Sequence, residues 1–214
     1  MPCPVLVTFM GDSCRLKEDV FYRDDMISSN KRVRYKMSVV EHLIDVATQM
    51  HSPNQDERPY GEISLIVVHG ISLPAGEFGG HEVCELFTNS LDTSGPELAD
   101  LENVKVSSHL FIRRTGELIQ FVPFNRRAWH AGASSFGDRE HCNDYSIGIE
   151  LEGTDTIAYE EVQYEVLSNV CASLMASYGI MEITSHSAIS PDRKTDPGPA
   201  FNWGVLRRKL ARKL

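Results

Sequence analysis

Apolar residues along the chain form three stretches with the patterns of β-strands. Residues 63–70 are an almost continuous apolar, largely β-branched run, which is typical of a strand buried on both faces. Residues 106–124 contain two apolar runs on either side of Thr115 and Gly116, which predicts a β-hairpin. In residues 145–153 every second side chain is apolar, which predicts a strand with one face turned inward.

Other stretches have the spacing of amphipathic helices. Residues 38–50 carry apolar side chains at positions 39, 40, 43, 44, 46 and 50, with Ser38 as a plausible N-cap. Residues 159–179 place Val162, Val166, Val170 and Leu174 on one stripe, and Gly179 predicts the end of that helix. A short helix within residues 81–91 and a terminal helix complete the pattern. Strands mixed with helices predict a single α/β domain, with a central mixed β-sheet flanked by helices.

The first 36 residues differ from the rest of the chain. They are dense in charge and lack a sustained period of either a helix or a strand. Such a segment cannot bury much apolar surface, so residues 1–36 are predicted to be a mobile or loosely attached N-terminal extension. The folded domain is then expected to span residues 37–214.

Composition narrows the classes of function. The 214-residue chain has a net charge of −9, which disfavours binding to nucleic acid or to an anionic membrane surface. No apolar run approaches the roughly 18 residues of a membrane span. The five cysteines are widely spaced and include no CxxC pair, which fits a reducing compartment. We therefore expect a cytoplasmic protein with no membrane, nucleic-acid or obligate protein partner.

Two histidines and one aspartate form a candidate metal site. His69 ends the apolar strand beside Gly70, and His186 follows a short strand. Asp196 stands in a stiff stretch, directly before Pro197. Two imidazoles and one carboxylate are a recurrent ligand set for catalytic zinc, although a non-haem iron site uses the same set. Taken singly, each histidine is more often a hydrogen-bonded structural group.

Glu150 and Lys194 are candidate catalytic groups near that site. Glu150 lies in an apolar strand but points away from Ile149 and Leu151. Near a metal it could act as a general acid or base, whereas alone it would be an ordinary solvent-facing strand residue. Lys194 stands two residues before Asp196, so in an extended segment both side chains point the same way. It could stabilise oxyanion charge, or it could be a solvated loop cation.

Four segments resemble one enzyme family. "VVHGISLPAGEFGG", "RRAWHAG", "CNDYSIGIELEGTDT" and "HSAISPDRKTDPG" are similar, in order and spacing, to the AmpD-type N-acetylmuramoyl-L-alanine amidases. The resemblance covers about residues 38–203 and implies the amidase and peptidoglycan-recognition-protein fold. One departure is Gly70, where this family commonly has asparagine, so a side-chain amide contact to substrate is missing at this position.

The resemblance implies both an activity and a set of residue roles. Members of this family are zinc enzymes that cleave the bond between the lactyl group of N-acetylmuramic acid and L-alanine. AmpD-type members act in the cytoplasm on 1,6-anhydro-muropeptides during peptidoglycan recycling. By position, one Zn²⁺ per chain is expected on His69, His186 and Asp196, with Glu150 and Lys194 as the catalytic pair. The residues expected to line the substrate groove are Trp129, His130, Arg139 and Asn143.

Two alternative functions share this fold. The first is a catalytically silent peptidoglycan-binding module, although such modules typically lose a metal ligand, and this chain keeps all three. The second is an amidase that acts on intact cell wall. Residues 1–36 lack the pattern of a secretory signal, and this favours the cytoplasmic recycling enzyme.

Overall fold

The computed structural model of the protein describes residues 37–214. The predicted N-terminal extension, residues 1–36, lies outside the described residues, so the boundary at residue 37 stays a prediction. Among residues 37–214, no helix combines the length and the apolar content that a membrane crossing requires.

The described chain contains twelve strands and four α-helices, in mixed order. The strands are β1 (Val39–Val40), β2 (Leu43–Ile44), β3 (Thr48–Gln49), β4 (Gln55–Glu57), β5 (Leu65–Ile71), β6 (Leu110–Ile112), β7 (Leu118–Gln120), β8 (Arg126–Ala128), β9 (Ser135–Phe136), β10 (Arg139–Glu140), β11 (Ser146–Glu152) and β12 (Glu182–Ser185). The helices are α1 (Glu82–Thr88), α2 (Glu161–Tyr178), α3 (His186–Ile189) and α4 (Trp203–Leu210). Short 3₁₀ segments span Ala99–Leu101 and Cys142–Asp144.

Six strands form the central sheet in the order β12-β5-β11-β6-β7-β3. All neighbouring pairs are parallel except β6 and β7, which form the antiparallel hairpin predicted around Thr115 and Gly116. The sheet is therefore mixed, and helices accompany it as predicted. The other strands pair in three small two-stranded sheets: β1 with β2, β4 with β8, and β9 with β10.

The two faces of β11 have different partners. Ile147, Ile149 and Leu151 belong to the main hydrophobic core, together with Leu167, Val170 and Leu174 of α2. The alternate residues Ser146, Gly148 and Glu150 lie on the opposite face, because side chains alternate along a strand. The inward face predicted for this strand is confirmed, and the opposite face is covered as well, because all seven residues of β11 are buried. The strand lies between β5 and β6 inside the sheet, and both its faces are covered.

The predicted helix at residues 38–50 is wrong. This segment forms β1, β2 and β3, and Glu41 and His42 make the turn between the first two with φ of 49° and 66°. The backbone N–H of Ile44 donates to the side chain of Gln120 at 2.7 Å, a contact across 76 residues. The segment is therefore held both by its own β1–β2 pairing and by contacts with β7. Residues 51–61, which follow this segment, contain the short strand β4, and it pairs with β8.

The long helix α2 is confirmed in its bounds and in three of the four residues of its predicted stripe. It ends at Gly179, whose φ of 69° is the left-handed conformation expected of a C-cap. Val162 is exposed, but Val166 packs against the core, and Val170 and Leu174 are buried together with Gln163, Leu167 and Cys171.

Candidate active site

Sheet register brings His69 and Glu150 side by side. The two residues are direct partners in the parallel pairing of β5 with β11. Their side chains share the sheet face that turns away from α2, because Val68 and Ile149, their neighbours in sequence, belong to the core on the α2 side. Glu150 therefore points away from Ile149 and Leu151 as expected, and both residues are buried.

His186 and Asp196 complete a cluster around His69. His186 opens α3 directly after β12, which pairs with β5. Oδ2 of Asp196 lies 3.3 Å from Nδ1 of His69 and 3.1 Å from Nδ1 of His186. These three residues can each offer one ligand atom, and the three atoms lie within 4.8 Å of one another. The chain therefore assembles a group of donors that could hold a metal ion.

The electrostatics of the cluster suit a cation. Burial lowers the pKa of His69 to about 4, so its imidazole is neutral at pH 7 and has a free lone pair. Burial alone would raise the pKa of Asp196, but its close contacts with the imidazoles of His186 and His69 outweigh it and hold that pKa well below its usual range. Asp196 is therefore an anion. Neutral imidazoles and an ionised carboxylate are the protonation states that metal binding requires.

Glu150 is a buried acid with an unused oxygen. Its Oε1 lies 4.0 Å from Nδ1 of His69. Its Oε2 is buried and has no hydrogen-bond partner among residues 37–214. Burial, and then the negative charge of Asp196, raise the pKa of Glu150 well above its usual value, while the charge of Lys194 partly opposes them. The carboxyl group is thus poised to exchange a proton beside the donor cluster.

Lys194 is exposed on the loop that leads to Asp196. Its backbone N–H donates to the carbonyl of Ser190 at 3.1 Å, which continues the turn after α3. Its positive charge acts on both Glu150 and His69. Lys194 is therefore near the cluster electrostatically, and its role as an oxyanion stabiliser stays a prediction.

The four residues predicted to line a substrate groove lie in different surroundings. Trp129 is partly buried, and Arg139 is exposed with an ion pair to Glu62 at 2.8 Å. Oδ1 of Asn143 accepts from the backbone N–H groups of His130 and Ala131, at 3.1 and 2.8 Å. His130 is buried, and its Nδ1 lies 2.9 Å from Nε2 of His69. The contacts of these residues with substrate stay predictions.

Tyr159 is a neighbour of the cluster that the sequence analysis missed. Its hydroxyl donates to the carbonyl of Pro197 at 3.0 Å, next to Asp196 in the chain. A β-carbon at Gly70 would collide with that hydroxyl, so the glycine leaves the space that Tyr159 occupies. The departure at Gly70 was visible in the sequence, but the residue that fills the space lies 89 positions away.

Comparisons with known proteins agree on one family. Residues 59–199 match the N-acetylmuramoyl-L-alanine amidase family. The chain is 53% identical over 169 residues to the 1,6-anhydro-N-acetylmuramyl-L-alanine amidase AmpD of Salmonella typhimurium, covering 77% of this chain and 90% of that one. It is 52% identical over 165 residues to the AmpD of Escherichia coli K12, covering 75% of this chain and 90% of that protein.

Solved structures point the same way. A crystal structure of a selenomethionine derivative of AmpD superposes with a TM-score of 0.80 at 48% identity, covering 81% of this chain and 99% of that one. A complex of the Escherichia coli amidase AmiD with the substrate anhydro-N-acetylmuramic acid-L-Ala-D-gamma-Glu-L-Lys has a TM-score of 0.50 at 28% identity. The match covers 75% of this chain and 60% of that one. With the family match over residues 59–199, these likenesses place the chain in the N-acetylmuramoyl-L-alanine amidase family.

Proposed function

We propose that the chain is a zinc-dependent amidase that hydrolyses the lactyl–L-alanine amide bond of 1,6-anhydro-muropeptides during peptidoglycan recycling. The observation that carries the proposal is the convergence of His69, His186 and Asp196 beside the buried acid Glu150. The AmpD relatives, which are named for the anhydro substrate, support the choice of substrate.

The donor set fits zinc. Two neutral imidazole nitrogens and one carboxylate oxygen leave a fourth tetrahedral position open, which is the arrangement of catalytic rather than structural zinc. The unpartnered Oε2 of Glu150 lies in a buried position near that cluster, where a bound water would give it a partner. When bound, the ion would supply Lewis acidity toward the scissile carbonyl and toward a water molecule.

The chain's own residues would handle the protons and the charge. Glu150 accepts a proton from the attacking water and delivers it to the leaving amine of L-alanine as the carbon–nitrogen bond breaks. The raised pKa of Glu150 makes its carboxylate a stronger base than an exposed glutamate. The ammonium of Lys194 stabilises the negative charge that grows on the carbonyl oxygen.

The proposal includes the cytoplasm as the place of action. Cys84, Cys142 and Cys171 are buried free thiols, and cysteine in this state is the common case in a reducing compartment. The recycling substrate would be a soluble fragment rather than the wall itself.

The test offers the purified protein two substrates. We expect release of peptide with a free L-alanine amino group from anhydro-N-acetylmuramyl-tripeptide, detected by mass spectrometry, and loss of this release in the presence of a chelator. Intact sacculi, offered in parallel, should release far less. Equal release from sacculi would favour the wall-degrading alternative, and no release from either substrate would favour the silent binding module.

Two glutamate variants sharpen this assay. Glu150→Gln keeps the three donors but removes the base, so kcat should fall by at least ~100-fold. Glu182→Gln is the matched control, because Glu182 is an exposed residue of β12. Near-normal turnover by Glu150→Gln would show that Glu150 is not the base.

A further inference from the structure

A chain of buried polar groups continues behind His69, on the side away from Asp196. Nε2 of His69 lies 2.9 Å from Nδ1 of His130, and Nε2 of His130 lies 3.1 Å from Oγ of Ser146. The hydroxyl of Ser146 in turn donates to the carbonyl of Cys142 at 2.5 Å. All four residues are buried, so water does not compete for these hydrogen bonds.

The carbonyl at the far end fixes the direction of every hydrogen bond in this chain. A carbonyl oxygen only accepts, so the single proton of the Ser146 hydroxyl lies toward Cys142. The Ser146 oxygen must then accept from Nε2–H of His130, which leaves Nδ1 of the neutral His130 ring with a lone pair. That lone pair accepts from Nε2–H of His69. The reverse direction would leave two oxygens 2.5 Å apart with no proton between them.

This direction of hydrogen bonding decides which nitrogen of His69 keeps its lone pair. A neutral imidazole carries one proton, so a proton held on Nε2 leaves Nδ1 with its lone pair. Nδ1 is the atom that faces Oδ2 of Asp196 at 3.3 Å.

We propose that His130 and Ser146 are positioning residues of the metal site, which hold His69 in the Nε2–H tautomer so that Nδ1 is free to bind the ion. The proposal rests on the metal site of the proposed function and adds two residues that do not touch the ion. Partners of this kind orient a ligating histidine and set its basicity.

The surroundings of His130 favour this role over a direct contact with substrate. Both ring nitrogens are already occupied, and only 9% of the residue is exposed. Gly148 supplies the space for the ring, because a β-carbon there would lie 2.7 Å from its Cδ2 and Nδ1 atoms. Ser146, Gly148 and Glu150 occupy alternate positions on one face of β11. This strand therefore carries the serine of the hydrogen-bonded relay (His69, His130, Ser146 and the carbonyl of Cys142), the glycine that leaves space for the His130 ring, and the candidate catalytic acid.

The first test reads the tautomer in the metal-free protein. Long-range nitrogen–proton NMR spectra of the imidazole rings distinguish a protonated ring nitrogen from one with a lone pair. We expect His69 of the wild-type protein to carry its proton on Nε2. Ser146→Ala should shift a measurable fraction of His69 to the Nδ1–H form. A wild-type His69 protonated on Nδ1 overturns the proposal, whether or not the protein is an amidase.

The second test measures the zinc dissociation constant by competition with a coloured chelator. His130→Phe removes the acceptor and should weaken zinc binding by about 10–100-fold. His130→Asn keeps an oxygen near the position of Nδ1 and should recover most of the loss. Ser146→Ala should weaken binding, whereas Ser168→Ala should not, because Ser168 is an equally buried serine that donates to Glu165 in α2.

The outcomes separate this proposal from the proposed function. If Ser146→Ala binds zinc within about twofold of Ser168→Ala, the relay does not act on the metal site. If the wild-type protein binds no zinc, the proposed function fails and this inference fails with it. If zinc binds and is sensitive to Ser146 while anhydro-muropeptide is not hydrolysed, the relay stands and the activity does not. Should His130→Phe fail to fold, the wild-type spectrum and Ser146→Ala still decide.

Discussion

Gly148→Ala places a methyl group where the His130 ring already lies. A β-carbon built on Gly148 would lie 2.7 Å from both Cδ2 and Nδ1 of that ring, closer than real β-carbon contacts. The ring cannot withdraw cheaply, because its two nitrogens are held by His69 and Ser146. The backbone of β11 cannot withdraw either, since the strand is paired on both sides with β5 and β6.

The expected cost follows from this geometry. Forcing one extra carbon into a filled interior typically costs about 1–3 kcal/mol. Each hydrogen bond that a displaced His130 loses adds about 1 kcal/mol. We therefore expect Gly148→Ala to lower the free energy of unfolding by roughly 2–4 kcal/mol. Gly95→Ala is the matched control: Gly95 has no heavy atom within 4 Å of its added β-carbon and no positive φ.

Urea unfolding of the metal-free protein measures this difference without any contribution from a bound ion. Both variants should keep the slope of the wild-type transition, so that the shift in midpoint reports stability alone. Gly95→Ala should be neutral or more stable by up to about 1 kcal/mol, because alanine restricts the unfolded chain. If the two variants agree within about 0.5 kcal/mol, the His130 ring is not held as described.

Three further outcomes are expected. Lys194→Ala should keep zinc while kcat falls by ~10²–10³, the usual loss for one oxyanion donor, whereas the exposed Lys105→Ala should change kcat by less than about threefold. Two lysines near the C-terminus lower the pKa of Glu165 to about 2. Glu165→Gln should therefore cost under ~1 kcal/mol at pH 7, since the carboxylate is half-exposed, and this difference should vanish as pH falls from ~4.5 to ~2 in acid unfolding curves. A chain beginning at Met37 should fold and hydrolyse anhydro-muropeptide as well as the full chain does; loss of either would show that residues 1–36 are integral.

Local sequence patterns predicted those elements whose structure is decided locally. The apolar run of β5 and the turn at Thr115 and Gly116 were both predicted from neighbouring residues, and both are confirmed. The stop at Gly179 was found in the same way, because a left-handed C-cap favours glycine. These signals act over a few residues, so distant parts of the chain do not override them.

The errors arose where distant residues decide the structure. The spacing of apolar residues in 38–50 fits a helix, yet Val40 and Val46 are exposed and Ile44 is held by Gln120. The exposure of Val162 has the same origin, because the sheet selects the face of α2 that becomes buried. Periodicity shows that a face is apolar but does not show what will cover it.

The candidate site was largely visible in the sequence, but its support was not. His69 stood out at the end of an apolar run, Glu150 as an acid inside an apolar strand, and Asp196 as a carboxylate directly before a proline. The relay through His130 and Ser146 depends on Gly148, which reads in sequence only as a small residue in a strand. An alternation of serine, glycine and glutamate inside a buried strand is the signal that could have found it.

The zinc content of the purified protein tests the central claim most directly. Elemental analysis should give about one zinc per wild-type chain and almost none for a variant that combines His186→Ala with Asp196→Ala, because that variant keeps only one of the three donors. Full zinc occupancy in the double variant, or a wild-type protein that takes up no zinc when the ion is supplied, would contradict the account.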